Sequence, residues 1–520
     1  MTDPVELITT NYHILEHENL TFKSLIALTL LLIYIIGGSI FSKLNIYYIH
    51  ESGVCMILGM IISIIAYFFT PLNFSKSLNF DDGIFFTFIL PPIIFGAGYN
   101  MKTKNFFKYF HYSILFGIVG TFLSFSLICS ITYFFNNLNF FKVNFSFKDI
   151  LLFSSVITAT DTISPLAFIN EETQNKLFGV LFGEGIMNDS FTIVIYQIIT
   201  KFYGILSNWS IITYFLFLYL TSCFVGIIIG ALCSLFLKYL KHFKLLRAQE
   251  ISVIIIFGFF SYIIAELLNL SAIISLLFCS ITLSNYAFYN LSFLAREESC
   301  IVVKIMSNIA EGFVFTYLGL SFFNMSIGNY SIIFILIEFS TIILSRFIAI
   351  YSLSFIINLF TDNPLISKEQ KVISIAGCIR GAIAFGLALS LETGNPINNS
   401  ILLSTTLILV FSTTIIFGAM VPSLTQNLSN IIYMNYNNLN VKLLDNDDNK
   451  SLGDSYKSIF KYDHPNNEIL DEDENNLNGF SKVWFNFDNY VLKPILVGNW
   501  EKVKKRHNEL SNKIKETINN

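Results

Sequence analysis

Charge is what this chain has least of. Asp, Glu, Lys and Arg make up 13% of its 520 residues, where a soluble domain carries about 25%. That shortfall excludes an ordinary water-facing globular fold. The formal net charge is only −4. With most of the surface facing lipid it says little about partners, and no nucleic acid is expected among them. The seven histidines show no metal-ligand spacing, and none of the seven cysteines forms a CxxC pair. They read as free thiols in apolar surroundings. The start of the chain lacks the basic region of a cleaved signal peptide. The first apolar segment, from about residue 22, can itself serve as a signal anchor.

What is present in excess is apolar sequence. Hydrophobic residues reach 54% and the mean hydropathy is +0.62. Runs such as Leu25–Phe41, Ile251–Leu268 and Ile332–Ile343 are too long for a soluble core. A crossing helix needs about 20 mostly apolar residues. The expectation is an all-α polytopic membrane protein with about thirteen spans. They fall near residues 22–42, 51–69, 83–99, 111–136, 149–169, 176–204, 209–240, 250–268, 270–286, 301–324, 330–360, 370–391 and 399–429.

Several spans are interrupted. The third contains Pro91-Pro92, the fifth Thr160-Asp161 and Pro165, the twelfth Gly377, Arg380, Gly381 and Gly386. Opened backbone at bilayer depth is tolerated only where it lines a cavity or is buried in protein. If spans 1–6 and 8–13 are two halves joined by span 7, the fifth and twelfth occupy matching positions. Interrupted helices at matching positions point to a transporter's midplane site. The connector inverts the second half, so two inverted six-helix repeats with broken helices are expected. Lys102, Lys104, Lys108, Lys238, Lys241, Lys244, Arg247, Lys368 and Lys371 fall on one side. That bias places the tail in the cytoplasm and residues 1–21 in the lumen or outside. Residues 22–430 form the transporter domain. Residues 431–480, with DNDDNK and DEDENN, read as a flexible acidic linker. Residues 481–520 form a cytosolic tail whose Trp484, Phe485, Phe487, Tyr490 and Leu492 make a docking segment, the competing reading being an exposed or lipid-touching aromatic stretch.

The chemistry concentrates in residues 148–204. Asp161 stands mid-span in the fifth segment, and Glu184 and Asp189 lie in the sixth. An acid at bilayer depth costs roughly 2.5–3.5 kcal/mol on insertion scales, so such residues are functional candidates. Asn188 and Glu184 are i, i+4 neighbours and share a helix face, with Asp189 rotated by about 100°. Carboxylates, freed carbonyls beside Thr160 and the Asn188 amide oxygen make a hard oxygen set for a small cation. Burial makes a carboxylate hold its proton more readily, so proton and cation compete for one place. That competition suffices for exchange. The competing reading for Asp189 is a structural carboxylate capped by Ser190 or Thr192.

Arg346 and Arg380 are also mid-span. A guanidinium stays charged in proteins, so each is expected to need a fixed anion from Glu184, Glu266 or Glu311. Glu184 is paired with Arg380, leaving Glu311 for Arg346 or Arg380, as structural ion pairs. Glu266 reads as snorkelling at a helix end.

Five segments, in chain order, resemble the signatures of eukaryotic sodium/proton exchangers of the cation/proton antiporter superfamily. They are LPPIIFGAGY (Leu90–Tyr99), ITATD (Ile157–Asp161), FGEGIMND (Phe182–Asp189), AEGFVFTYLGL (Ala310–Leu320) and IRGAIAFGLAL (Ile379–Leu389). FGEG resembles plant vacuolar exchangers; STTLILVFSTTIIFG and WFNFDNYVLKPIL resemble animal endosomal ones. The resemblance implies a homodimer of thirteen-span protomers, each with a dimerisation domain and a mobile core. It implies electroneutral exchange of Na⁺ or K⁺ for H⁺ by elevator-type alternating access in an endosomal or vacuolar membrane, or the plasma membrane. By position, Asp189 and Asp161 bind the Na⁺ or K⁺ ion and Asp189 the proton. Asn188 and Thr160 are their neighbours, and Glu184 and Arg380 the buried ion pair. Gly96 stands where many plasma-membrane members have Asp, Thr162 where Pro often follows the Asp, and Ala272 and Ser275 where glycine or alanine is common. No cofactor or enzymatic activity is implied. Competing readings are a cation-coupled solute symporter, an intramembrane aspartyl protease using Asp161 and Asp189, and a non-transporting scaffold. The protease contexts YD and GxGD are here TD and ND.

Overall fold

The computed structural model describes most of residues 51–69, 83–101, 109–204, 208–240, 246–324, 331–359, 367–443 and 487–500, with parts of 29–37. The expected N-terminal segment 1–21, residues 444–480 of the acidic stretch, residues 481–486 of the tail and the basic end 501–520 lie outside the described residues. Among those described, every regular element is helical.

Helix α1 is Glu51–Phe69. Helix α2, Leu90–Tyr99, follows a π-helical turn over Phe85–Ile89. Pro91 and Pro92 therefore sit in a first turn, where a missing N–H costs least. They start a helical segment rather than break one. Then come α3 (Phe110–Asn137), α4 (Phe147–Thr158), the four-residue α5 (Ile163–Leu166) and α6 (Asn175–Phe202). They are followed by α7 (Asn208–Leu240), α8 (Arg247–Leu267), α9 (Ala272–Asn290), α10 (Phe293–Asn324) and α11 (Ile332–Asn358). The last are α12 (Ser367–Ala376), α13 (Ala382–Leu389), α14 (Pro396–Leu443) and the short α15 (Lys493–Leu496).

Eight of these, α3, α6 to α11 and α14, are long and apolar enough to cross a membrane. The protein is a multi-pass membrane protein. The apolar stretch of α6 is 83% enclosed by protein against 33% for α8, so α6 is central and α8 turns its side chains outward. Exposed Phe122, Ile256, Leu344 and Phe355 are what lipid contact asks of such helices. The helices sort into two packed groups. One holds α1, α2 and α7 to α10; the other holds α3, α4, α6 and α11 to α14.

The fifth and twelfth predicted segments are both interrupted, and the interruptions meet. Helix α4 opens on a capping box between Ser146 and Asp149 and stops at Thr158, where Ala159 turns extended. Helix α12 stops at Ala376, and extended Gly381 precedes α13. Where the two breaks cross, the Asp161 N–H donates to the Ile379 carbonyl at 2.9 Å. The approach is so close that a Cβ on Gly381 would lie 2.6 Å from the Asp161 Cβ. Helix α14 holds the second break: Thr413 Oγ1 accepts from Arg380 N at 3.2 Å, and Thr414 Oγ1 donates to Arg380 O at 3.0 Å.

Two expectations about the tail change. Helix α14 continues to Leu443, past residue 430 where the linker was expected to start; apolar Ile431, Ile432, Leu439 and Val441 carry the helical pattern on. The segment 487–500 packs against α7 and α9, with Leu492 in the contact as expected while Phe487 and Tyr490 are exposed. Leu496, Val497 and Trp500 join it, against Tyr286 and Tyr289. Tyr286 donates to Asp488 at 2.7 Å, and buried Lys493 pairs with the same carboxylate at 2.9 Å. Asn290 Nδ2 donates to the Leu496 carbonyl at 2.9 Å, and its Oδ1 accepts from Gly498 N at 2.8 Å. Trp484 and Phe485 lie outside the described residues.

The crossing yields a prediction. Gly381→Ala should lower the folded yield in detergent, because overpacking a tight contact costs about 1–3 kcal/mol. Gly394→Ala, with open space around it, should not. Fluorescence-detected size exclusion of both variants checks this.

Candidate functional site

The crossing leaves carbonyls at the C-terminal end of α4 with no helical partner. Arg380 takes them: its Nη1 donates to the Thr158 and Ala159 carbonyls at 3.1 and 3.2 Å. A helix C-terminus carries roughly half a negative charge. Arg380 therefore finds its counter-charge in backbone, and the expected Glu184–Arg380 pair does not form. Glu184 instead pairs with Arg346 of α11, both side chains fully buried.

That assignment releases Glu311, which the sequence reading reserved for an arginine. Glu311 accepts from Ser307 Oγ at 3.1 Å and lines a cavity of about 590 Å³, including its mouth. Asp161, Asp189, Thr160, Ser52 and Ser164 share that cavity. Its lining includes no lysine or arginine among the described residues.

Asp161 and Asp189 differ in how they are held. Asp161 accepts from Ser164 N at 3.3 Å and from Ser164 Oγ at 2.7 Å, which caps the short α5. Asp189 Oδ1 is buried without a hydrogen-bond partner among the described residues. The neighbouring hydroxyls are spent elsewhere: Ser190 donates to the Ile186 carbonyl and Thr192 to Asn188. The capped-carboxylate reading of Asp189 therefore fails. Asp189 also edges a second, mainly apolar cavity with Leu166, Phe182, Leu277 and Ile383.

Asn188 does not reach the cavity. Its Oδ1 accepts from Thr121 Oγ1 at 2.8 Å and from Thr192 Oγ1 at 3.2 Å, and its amide donates to Thr160 Oγ1. The amide oxygen counted among the cation's ligands is occupied, and Asn188 positions Thr160 instead. No three His, Cys, Asp or Glu side chains among the described residues converge tightly enough for a metal cage. Glu266 is exposed in the last turn of α8, as expected.

Sequence reasoning missed Thr121, the Thr413-Thr414 pair and Glu338. Glu338 is fully buried on α11 and accepts from Thr132 at 2.7 Å. The threonine doublet had a shared signal: α14 carries two hydroxyl triplets, Ser404-Thr405-Thr406 and Ser412-Thr413-Thr414, and the sequence does not say which one meets the break. Thr121 and Thr132 had none, since a lone threonine usually bonds the carbonyl four residues back.

Two interrupted helices crossing beside Asp189, whose Oδ1 has no hydrogen-bond partner among the described residues, define a secondary transporter for a small cation. The comparisons narrow this. A family model described as sodium/hydrogen exchanger, transmembrane, matches residues 27–427. The chain belongs to the sodium/hydrogen exchanger family and is a cation/proton antiporter, not an enzyme. It is 32% identical to an uncharacterized Na⁺/H⁺ antiporter of Schizosaccharomyces pombe over 75% of this chain and 71% of that one. It is 30% identical to sodium/hydrogen exchanger 4 of Arabidopsis thaliana over 73% of this chain and 76% of the relative. It is 28% identical to the endosomal/prevacuolar sodium/hydrogen exchanger of Saccharomyces cerevisiae, covering 78% and 67%. Among solved structures, the sodium proton antiporter MjNhaP1 of Methanocaldococcus jannaschii shares the fold. The TM-score is 0.62 at 16% identity, covering 78% of this chain and 99% of that one.

The ion pair makes a prediction. Arg346→Ala strands the Glu184 carboxylate and should cost about 3–5 kcal/mol, whereas replacing both by apolar residues of like volume is often neutral or stabilising. Thermal unfolding in detergent should show Arg346→Met with Glu184→Leu unfolding at a higher temperature than Arg346→Ala.

Proposed function

We propose that Asp189 is the carboxylate on which H⁺ and Na⁺ or K⁺ alternate, with Asp161 and Thr160 beside it. The observation that carries this is the unpartnered Asp189 oxygen in a cavity that also holds Asp161 and Thr160. A carboxylate with no fixed partner in an apolar surrounding must be neutralised by what diffuses in. Either a proton or a monovalent cation does so, and the presence of one excludes the other. Exchange is then one cation per proton and moves no net charge. Asp161, already bound through Ser164, offers the cation a second oxygen rather than a site for the transported proton. Glu184–Arg346 and Arg380 keep the crossing rigid around it.

The two helix groups support an elevator-type motion. The group with α3, α4, α6 and α11 to α14 carries Asp189 and both breaks; the group with α1, α2 and α7 to α10 forms the dimerisation scaffold of a homodimer. We read the architecture as thirteen spans in two inverted six-helix repeats, with the N-terminus lumenal and residues 487–500 cytosolic. The endosomal/prevacuolar name of the yeast relative supports an endosomal or vacuolar membrane, where the exchanger sets lumenal pH and cation content.

Asp189→Asn should abolish exchange while leaving the folded yield unchanged. Purified protein in proteoliposomes, with a pH-gradient dye and Na⁺, K⁺ and Li⁺ added in turn, measures both the loss and the ion preference. Exchange that persists in Asp189→Asn overturns the reading.

A further inference from the structure

We propose that Glu311 is a further substrate-binding carboxylate of the exchange site: a stationary acid that draws the cation into the cavity and sets its apparent affinity. The proposal rests on the reading of Asp189 above and adds a residue that reading does not use.

The geometry carries it in three steps. First, Glu311 faces the cavity without a counter-ion among the described residues. The arginines that could have neutralised it are committed, Arg346 to Glu184 and Arg380 to the Thr158 and Ala159 carbonyls, and the lining contributes no lysine or arginine among the described residues. In its ionised form it attracts whatever cation enters. Second, its position is built. Ser307, one helical turn earlier on α10, donates to Oε1, an i, i+4 contact. Ser307 in turn occupies space that exists only because residue 96 is glycine. A Cβ there would lie 2.6 Å from the Ser307 Cβ and 2.7 Å from its Oγ. Gly96, Ser307 and Glu311 are one packed unit spanning α2 and α10.

Third, the wall that carries Glu311 is fastened away from Asp189. On α1, Gly59 lies against the Thr316 carbonyl of α10, and on α10, Gly319 lies against the Met56 carbonyl of α1. Backbone meets backbone there, so α10 and α1 act as one body. Asp189 and Asp161 belong to the other helix group. Glu311 therefore meets the cation on its way to the exchange carboxylate and does not travel with it. A cleft lined by one sign of charge raises the local concentration of the opposite ion. The consequence falls on apparent affinity rather than on turnover.

The test is cation-dependent exchange by the purified protein in proteoliposomes. Na⁺ and K⁺ are titrated at low and at high choline chloride. Glu311→Gln should raise the apparent KM by about tenfold at low ionic strength and leave the maximal rate near that of the unsubstituted protein. The difference should shrink as salt screens the cleft. Glu311→Asp should restore most of the affinity. Glu266→Gln, which removes an exposed acid elsewhere, should change neither parameter. An unchanged KM in Glu311→Gln overturns the proposal, as does a lost maximal rate at unchanged KM. Should Glu311→Gln fail to fold, Ser307→Ala removes only the hydroxyl that fixes the carboxylate. A raised KM there supports the proposal, and an unchanged one overturns it. The failure of this idea is separable from that of the site itself. Exchange surviving in Asp189→Asn removes the site. Exchange lost in Asp189→Asn, with an unchanged KM in Glu311→Gln, removes only the role of Glu311.

Discussion

Backbone N–H and C=O groups cannot be left bare inside a membrane, and the interior of this protein is arranged around that demand. Two helices open at the same place. The open ends are closed by each other and by three side chains: Asp161 N to the Ile379 carbonyl, the Thr158 and Ala159 carbonyls to Arg380, and the Arg380 backbone to Thr413 and Thr414. Because Arg380 is occupied by carbonyls, Glu184 is available to Arg346. Because Glu184 satisfies Arg346, neither arginine claims Glu311. This chain of commitments leaves the cavity lining without lysine or arginine among the described residues.

The paired residues Asn188 and Asp189 show how one turn of helix can divide labour. Side chains one residue apart point about 100° apart. Asn188 faces Thr121, Thr192 and Thr160 and is hydrogen-bonded through both its oxygen and its nitrogen; Asp189 faces the cavity with an oxygen to spare. The amide locks the threonine of one broken helix to α6, so Thr160 and Asp189 keep a fixed relation. Glu338, equally deep, serves a different end. It is sealed against Thr132 and has no share in either cavity that Asp189 borders.

Much of this was legible in the chain. Long apolar runs announced the helices. Thr160-Asp161 and Gly377 to Gly381 marked the breaks, and the isolated acids of the sixth span marked the site. What was not legible was pairing. Sequence spacing says which residues share a face of one helix, but Glu184 could reach either arginine, and only the crossing angle of α4 and α12 decides. The rule that every arginine needs a carboxylate misled, because it ignored the half-charge at a severed helix end. Asn188 was misjudged for a related reason: its oxygen's partners, Thr121 and Thr192, left no mark among many ordinary threonines. Gly96 looked like a mere departure from a common aspartate until Ser307 was seen to fill its place.

The seat of residues 487–500 has a bearing on how the protein matures. Asn290 and Ser234 at the end of α9 and in α7 bond to the Leu496 carbonyl, and Asp488, Lys493 and Tyr286 form one buried polar knot. Before residues 488–498 are made, Asn290 has Ser234 as a partner but not the Leu496 carbonyl or Gly498 N–H, and Tyr286 has no Asp488 to donate to. The bonds to Asp488, Leu496 and Gly498 form only once synthesis passes residue 498. The nascent transporter thus displays an unfinished polar patch that only its later residues can cover. Cellular quality control could read that patch as the difference between a complete protein and a truncated one.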